Sequence, residues 1–287
     1  MKWTPGSSDQ DVEDRRDEGG GGIGGSGIGG AHIGIGGLLL LGVLSFVFKI
    51  DLISPFIGGG SAPVTTSAPN PARTQAEQPT KEFITFVLDD VQSQWEKILP
   101  TAGAQYHHAK LVLFRDETQS GCGGAQAASG PFYCPDDEKV YIDLAFYEEL
   151  KDRFGAPGQF AQAYVLAHEI GHHVQKILGI EQKVTRLQEQ NPSQANPLSV
   201  RLELQADCYA GVWAYTTAQR NILEAGDVDS GLQAAAAVGD DHIAKMAGAR
   251  VSPERFTHGT SAQRTGWFKQ GMQSGRVQDC DTFSNPR

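Results

Sequence analysis

The chain has 287 residues, a formal net charge of -10 and a pI near 5.2. That length accommodates one large domain or two small ones. The acidic balance excludes a sequence-independent nucleic-acid binder, which needs clustered Lys and Arg to neutralise phosphates.

Residues 1–32 are polar and acidic and then Gly-rich (DEGGGGIGGSGIGG). Such a composition buries too little apolar surface to offset chain entropy, so disorder is expected. The run from Ile33 to Phe48 carries no charge, and Ile50, Leu52 and Ile53 prolong it past Lys49 and Asp51. It predicts one transmembrane helix within 33–57, slightly short of the roughly 20 apolar residues a spanning helix wants, with Lys49 snorkelling to the interface. A cleaved signal peptide is the rival, given the small residues at 60–62, although the long acidic stretch before the run argues against it. Lys2, Arg15 and Arg16 precede the run and favour an N-terminus inside. Residues 58–79, with prolines at 63, 69, 71 and 79, read as an extended linker. The remainder, 80–287, is long enough for a sizeable core and is expected to sit outside the cytoplasm, periplasmic or extracellular, on a single-pass anchor in the cell membrane.

The domain opens with a predicted amphipathic helix over Lys81–Leu99, N-capped by Thr80, whose Phe83, Val87, Val91, Trp95 and Ile98 recur at helical spacing. Two strand candidates come next, Lys110–Phe114 and Lys139–Leu144, and the second could offer an edge to an extended peptide or lie inside a sheet. Cys122, Cys134, Cys208 and Cys280 permit two disulfides in three pairings. Neighbour pairing is preferred because Cys122 and Cys134 bracket a Gly-rich loop, which leaves Cys208 for Cys280; four free thiols are the alternative. An oxidising compartment would preserve such bonds.

The stretch Gln159–Leu178 (QFAQAYVLAHEIGHHVQKIL) lacks proline and lies between Gly158 and Gly179, so both boundaries predict a helix. His168 and His172 stand four residues apart, one turn, and both can reach one ion. Neutral imidazoles on a rigid helix suit zinc, and Glu169 between them points beside the metal, where it can take a proton from water. A short motif of this kind also arises by chance, and the rest of a site must be found. It is present in Ser199–Gln219 (SVRLELQADCYAGVWAYTTAQ), another helical pattern, where Glu203 and Asp207 share a face. Glu203 can supply a carboxylate ligand, and Asp207 can accept the spare N–H of a ligating histidine. A metzincin completion fails, because Gln175 and Leu178 stand where Gly and His are required.

HEIGHHVQ, then ELQADCYAGVWA, then FTHGTSAQR with a closing WF, resembles the bacterial family of neutral zinc metallopeptidases, the YpfJ-like proteins. The resemblance runs over nearly the whole chain. It implies a gluzincin-type site: His168, His172 and Glu203 as ligands of one zinc ion per chain, Glu169 as base and Asp207 behind the ligands. The expected fold is α+β, a mainly helical zincin-like domain with a small β-sheet.

A tetrahedral oxyanion would need a further donor. His258 is the candidate, with Arg264 second, because FTHGTSAQR leads into a helix capped by a Thr260/Gln263 box. His173 sits 100° round the helix from His172 and reads as packing or as a residue behind the ligands, whereas His242, His107 and His108 have no partner at ligand spacing and stay unassigned. The expected function is a membrane-anchored zinc endopeptidase acting on protein or peptide substrates. A zinc-stabilised, non-catalytic binding or assembly factor of the envelope is the alternative, and hydrolysis of a non-peptide amide shares the same chemistry. Glu169 favours an enzyme, since a purely structural site has no use for a base.

Overall fold

A computed structural model describes residues 1–18 and 70–284. It is mainly helical with two small sheets. In chain order the strands are β1 (Val12–Asp14), β2 (Lys110–Phe114), β3 (Glu117–Ser120), β4 (Gly123–Gln126), β5 (Phe132–Cys134) and β6 (Lys139–Asp143). The larger sheet has the order β1-β2-β6-β5, and β3 and β4 form a separate hairpin. β1 and β6 both run parallel to β2, whereas β5 is antiparallel to β6. β2 and β6 carry continuous buried runs, as strands covered on both faces do.

Residues 1–18 are not disordered, contrary to the compositional expectation. Val12, Glu13 and Asp14 pair with Leu111, Val112 and Leu113, and Trp3 packs on Phe83 with ring centroids 5.4 Å apart. Composition misleads here because an added strand satisfies its backbone on an existing sheet and needs little core of its own. The expected linker also ends early. Helix α1 spans Pro71–Ala76, with the side chain of Asn70 accepting from the Arg73 amide, and helix α2 spans Gln78–Ile98. Thr80 is therefore inside a helix and caps nothing. Both prolines, Pro71 and Pro79, sit in first turns, where a missing N–H costs nothing. The folded unit joins 1–18 to 70–284 and does not begin at residue 80.

The predicted membrane helix within 33–57 lies outside the described residues. No helix among the described residues is long and apolar enough to cross a membrane.

Helix α2 buries Phe83, Val87, Val91 and Trp95, as its spacing predicts, and Ile84 and Leu88 besides, while Ile98 is half-buried; Trp95 is edge-on to Tyr209 at 5.5 Å. Seven further helices are described after β6: α3 (Ala145–Asp152), α4 (Gln159–Ile177), α5 (Ile180–Gln190), α6 (Ala195–Gln219), α7 (Asp227–Ala237), α8 (Asp240–Met246) and α9 (Ser261–Ser274). α6 begins four residues before the predicted start, with Pro197 tolerated in its first turn. The closest crossing is between α6 and α9. A Cβ on Gly211 would lie 2.1 Å from the Phe268 carbonyl oxygen, and one on Gly271 would lie 1.9 Å from that of Cys208. Only glycine permits this backbone-to-backbone approach. Cys122–Cys134 and Cys208–Cys280 are both disulfide-bonded, the second tying α6 to the segment after α9.

Candidate metal centre

Helix α4 carries HEIGHH at the heart of the domain. Phe160, Ala163, Ala167, Ile170 and Val174 are fully buried, and Ile177 partly. Gly171 lies inside the motif, and a Cβ there would sit 3.0 Å from the Ala206 carbonyl oxygen. This close approach sets α6 beside α4, so that Glu203 comes opposite the two histidines.

The histidine nitrogens and the Glu203 carboxylate converge as one group. His168 Nε2 is 3.2 Å from His172 Nε2 and 3.2 Å from Glu203 Oε2, and His172 Nε2 is 3.4 Å from Glu203 Oε1. Ligands at zinc distance on a tetrahedron are roughly 3.3 Å apart, so the spacing fits. The outward nitrogens are spoken for. His168 Nδ1 is 2.9 Å from Asp207 Oδ1, and His172 Nδ1 is 2.8 Å from the Gln175 side-chain oxygen. Both acceptors hold the proton on Nδ1 and turn the Nε2 lone pair inward, towards the carboxylate. Burial opposes a charge on His168, yet Asp207 and Glu203 outweigh it and raise its pKa to about 10. The same carboxylates favour a metal cation. Burial works against ionisation of Glu203, but the adjacent His172 and His168 hold its pKa well below the usual range.

Glu169 is buried at 8% exposure and lines the same cavity. Burial pushes its pKa up, with Glu203 adding to the rise and the histidines opposing it. A buried carboxylate with raised affinity for protons is suited to proton transfer.

Asp207 is fully buried and accepts from Tyr164 Oη, His168 Nδ1, Arg264 Nε at 2.8 Å and Arg264 Nη2 at 2.9 Å. Burial favours its neutral form, but Arg264 and His168 lower its pKa and keep it ionised. Arg264 Nη1 donates to the Val238 carbonyl at 3.1 Å. Arg264 thus holds Asp207 and also lines the cavity.

His258 also lines the cavity. Its Nδ1 is 3.1 Å from Asp240 Oδ1, while Asp240 Oδ2 accepts from the amides of Thr257, His258 and Gly259 at 2.8, 2.7 and 2.9 Å. Asp240 thus fixes the loop and the ring together. Burial lowers the His258 pKa, but Asp240 and Glu203 raise it overall. The Thr260/Gln263 capping box is formed as predicted.

Sequence reasoning misses three contributors. Gln175 orients His172 from the next turn and is itself held by the Leu202 carbonyl at 2.8 Å. Its i+3 spacing from His172 is the available signal. Tyr164, one turn before His168, reaches Asp207 only through the tertiary approach of α6. Asp240, in the neighbourhood of the unassigned His242, carries no signal.

His173 is fully buried, and burial lowers its pKa to about 4. It forms a second cluster with His107 and Glu138. Its Nδ1 is 2.9 Å from Tyr133 Oη and its Nε2 is 2.7 Å from the His107 carbonyl, so both nitrogens are engaged in holding β5 and the loop before β2. His108 pairs with Asp11 at 2.6 Å.

The cavity has a volume of about 340 Å³, and Phe132, Phe146, Phe154, Val165 and Ile243 give it apolar walls. β5, which contributes Phe132 and Tyr133, is the edge of the sheet. β6, a candidate edge in the sequence, is internal between β2 and β5.

The family model described as "Putative neutral zinc metallopeptidase" matches residues 1–283. The chain is 46% identical to the uncharacterised protein YpfJ of Escherichia coli strain K12 over 287 residues, 99% of each. It is 43% identical to an uncharacterised protein of Mycobacterium tuberculosis over 207 residues, 68% of each. No solved structure matches it.

Proposed function

Since the chain belongs to the neutral zinc metallopeptidase family, we propose that it is a zinc-dependent metalloendopeptidase that cleaves extended peptide segments. One observation carries the reading: three metal-ligand atoms converge beside a buried glutamate, in a cavity walled by an edge strand. Zinc held by His168, His172 and Glu203 would polarise the scissile carbonyl and lower the pKa of water at its open position. Glu169 takes the proton of the attacking water and delivers it to the leaving amine. His258, braced by Asp240, donates to the oxyanion as charge develops there. An extended substrate can add to the free edge of β5 through main-chain hydrogen bonds, with an alternate side chain entering between Phe132, Phe146 and Val165. The cell envelope is the proposed place of action, on the strength of the apolar run after Ile33 and the two disulfides.

The test combines zinc analysis with cleavage of an unfolded protein by wild type and Glu169→Gln. The expected result is about one zinc per chain in both and a rate at least ~100-fold lower in the variant. Full activity in Glu169→Gln removes the glutamate from the mechanism. Stoichiometric zinc with no cleavage by wild type favours the non-catalytic binding factor instead.

A further inference from the structure

The two described stretches, 1–18 and 70–284, share one sheet, and their facing ends meet in a cluster of ion pairs. Arg16, its side chain only 1% exposed, binds Asp14 at 2.7 Å on its own side and Glu77 at 3.2 Å on the other. Arg115 reaches the same Glu77 at 2.7 Å, Asp17 at 3.1 Å and the Arg16 carbonyl at 2.6 Å. Thr74 Oγ1 donates to Asp17 at 2.7 Å. Further from this knot, the α-amino group of Met1 lies 3.0 Å from Asp227, and Lys139 binds Glu13 at 2.7 Å.

A chain that crosses a bilayer once leaves its two flanking parts on opposite faces, some 30 Å of hydrocarbon apart. β1 and β2 cannot be separated in this way and still hydrogen-bond. Nor could Arg16 reach Glu77; withdrawing residues 1–18 would expose the edge of β2 and part Arg16 from Glu77 and Asp17 from Arg115. An inside N-terminus and an outside domain, as the basic residues before the apolar run suggest, are therefore incompatible with this fold. Arg15 and Arg16 are themselves neutralised, by Glu13 and by Asp14 with Glu77.

We infer that residues 1–18 and 70–284 lie on the same face of any membrane that the chain meets. The inference goes beyond the peptidase reading and stands on the sheet and its ion pairs alone.

Cysteine labelling of the full chain in intact cells tests it, because all four native cysteines are in disulfides. Thr4→Cys in the exposed strap and Lys151→Cys in α3 are each treated with a membrane-impermeant maleimide before and after permeabilisation. Gln10→Cys and Asp152→Cys serve as a second pair. The expected result is that both members of a pair behave alike, labelled before permeabilisation or only after it. One member labelled in intact cells while the other waits for permeabilisation overturns the inference, and leaves the zinc chemistry untouched.

Discussion

At the candidate metal centre, two of the three proposed ligands and the proposed base lie within five residues on one helix, and the i, i+4 rule alone brings His168 and His172 together. At the N-terminal strap, the reverse holds. β1 finds its partner strand 99 residues away, and its arginines are held by Asp14 nearby but also by Glu77 and across to Arg115. The first region is locally encoded and then completed by packing; the second exists only by packing. The two should therefore fail separately, which is open to measurement.

The largest effect is expected where packing completes the centre. Gly271→Val would drive side-chain atoms into the Cys208 carbonyl, backbone that cannot yield, and should destabilise the fold by about 3 kcal/mol in chemical denaturation. A near-neutral result would mean that the α6–α9 crossing is slack and does not position Arg264. Next, Asp207→Ala removes the acceptor of His168 Nδ1 and should weaken zinc binding by about 10 to 100-fold in chelator competition. Unchanged affinity would reduce Asp207 to a partner of Arg264. At the strap, Arg16→Met should cost about 2 kcal/mol in urea unfolding while zinc content stays at the wild-type level. Parallel loss of zinc would erase the separation between the two regions.

The smallest effect is a pH dependence at the strap. Burial raises the Asp14 pKa, but Arg16 outweighs it and brings it from 3.8 down to about 2. A carboxylate whose folded pKa is depressed stabilises above its unfolded value and loses that contribution as pH falls. Stability should decline between about pH 4 and pH 2, and the part due to Asp14 should shrink in Arg16→Met, where Lys81 is the remaining partner, as measured by thermal unfolding across that range.

Much of the centre is legible in the sequence because its chemistry is periodic. HEIGHH supplies two proposed ligands and a proposed base, ELQAD supplies Glu203 and Asp207, and the Thr260/Gln263 box marks the start of α9. Proximity along the chain points to Cys122–Cys134, and the remaining pair is then determined. The features that escape a sequence reading depend on long-range contacts. That Arg264 holds Asp207 is absent from its sequence neighbourhood, because only the packing of α6 brings the two together. Residues 1–18 read as disordered because a polar segment can fold by lending backbone to a sheet that its own composition does not reveal. β6 stays open as an edge strand until β5 is seen beside it.

By itself the sequence determined the ligand types, their spacing and the helices that carry them, because those depend on side-chain chemistry and a fixed helical repeat. Only the tertiary structure decided which carboxylate holds which histidine, which strand borders the cavity, and that the first eighteen residues belong to the same body as the rest of the described chain. Those depend on which surfaces meet, and glycines at 171, 211 and 271 decide how closely they do.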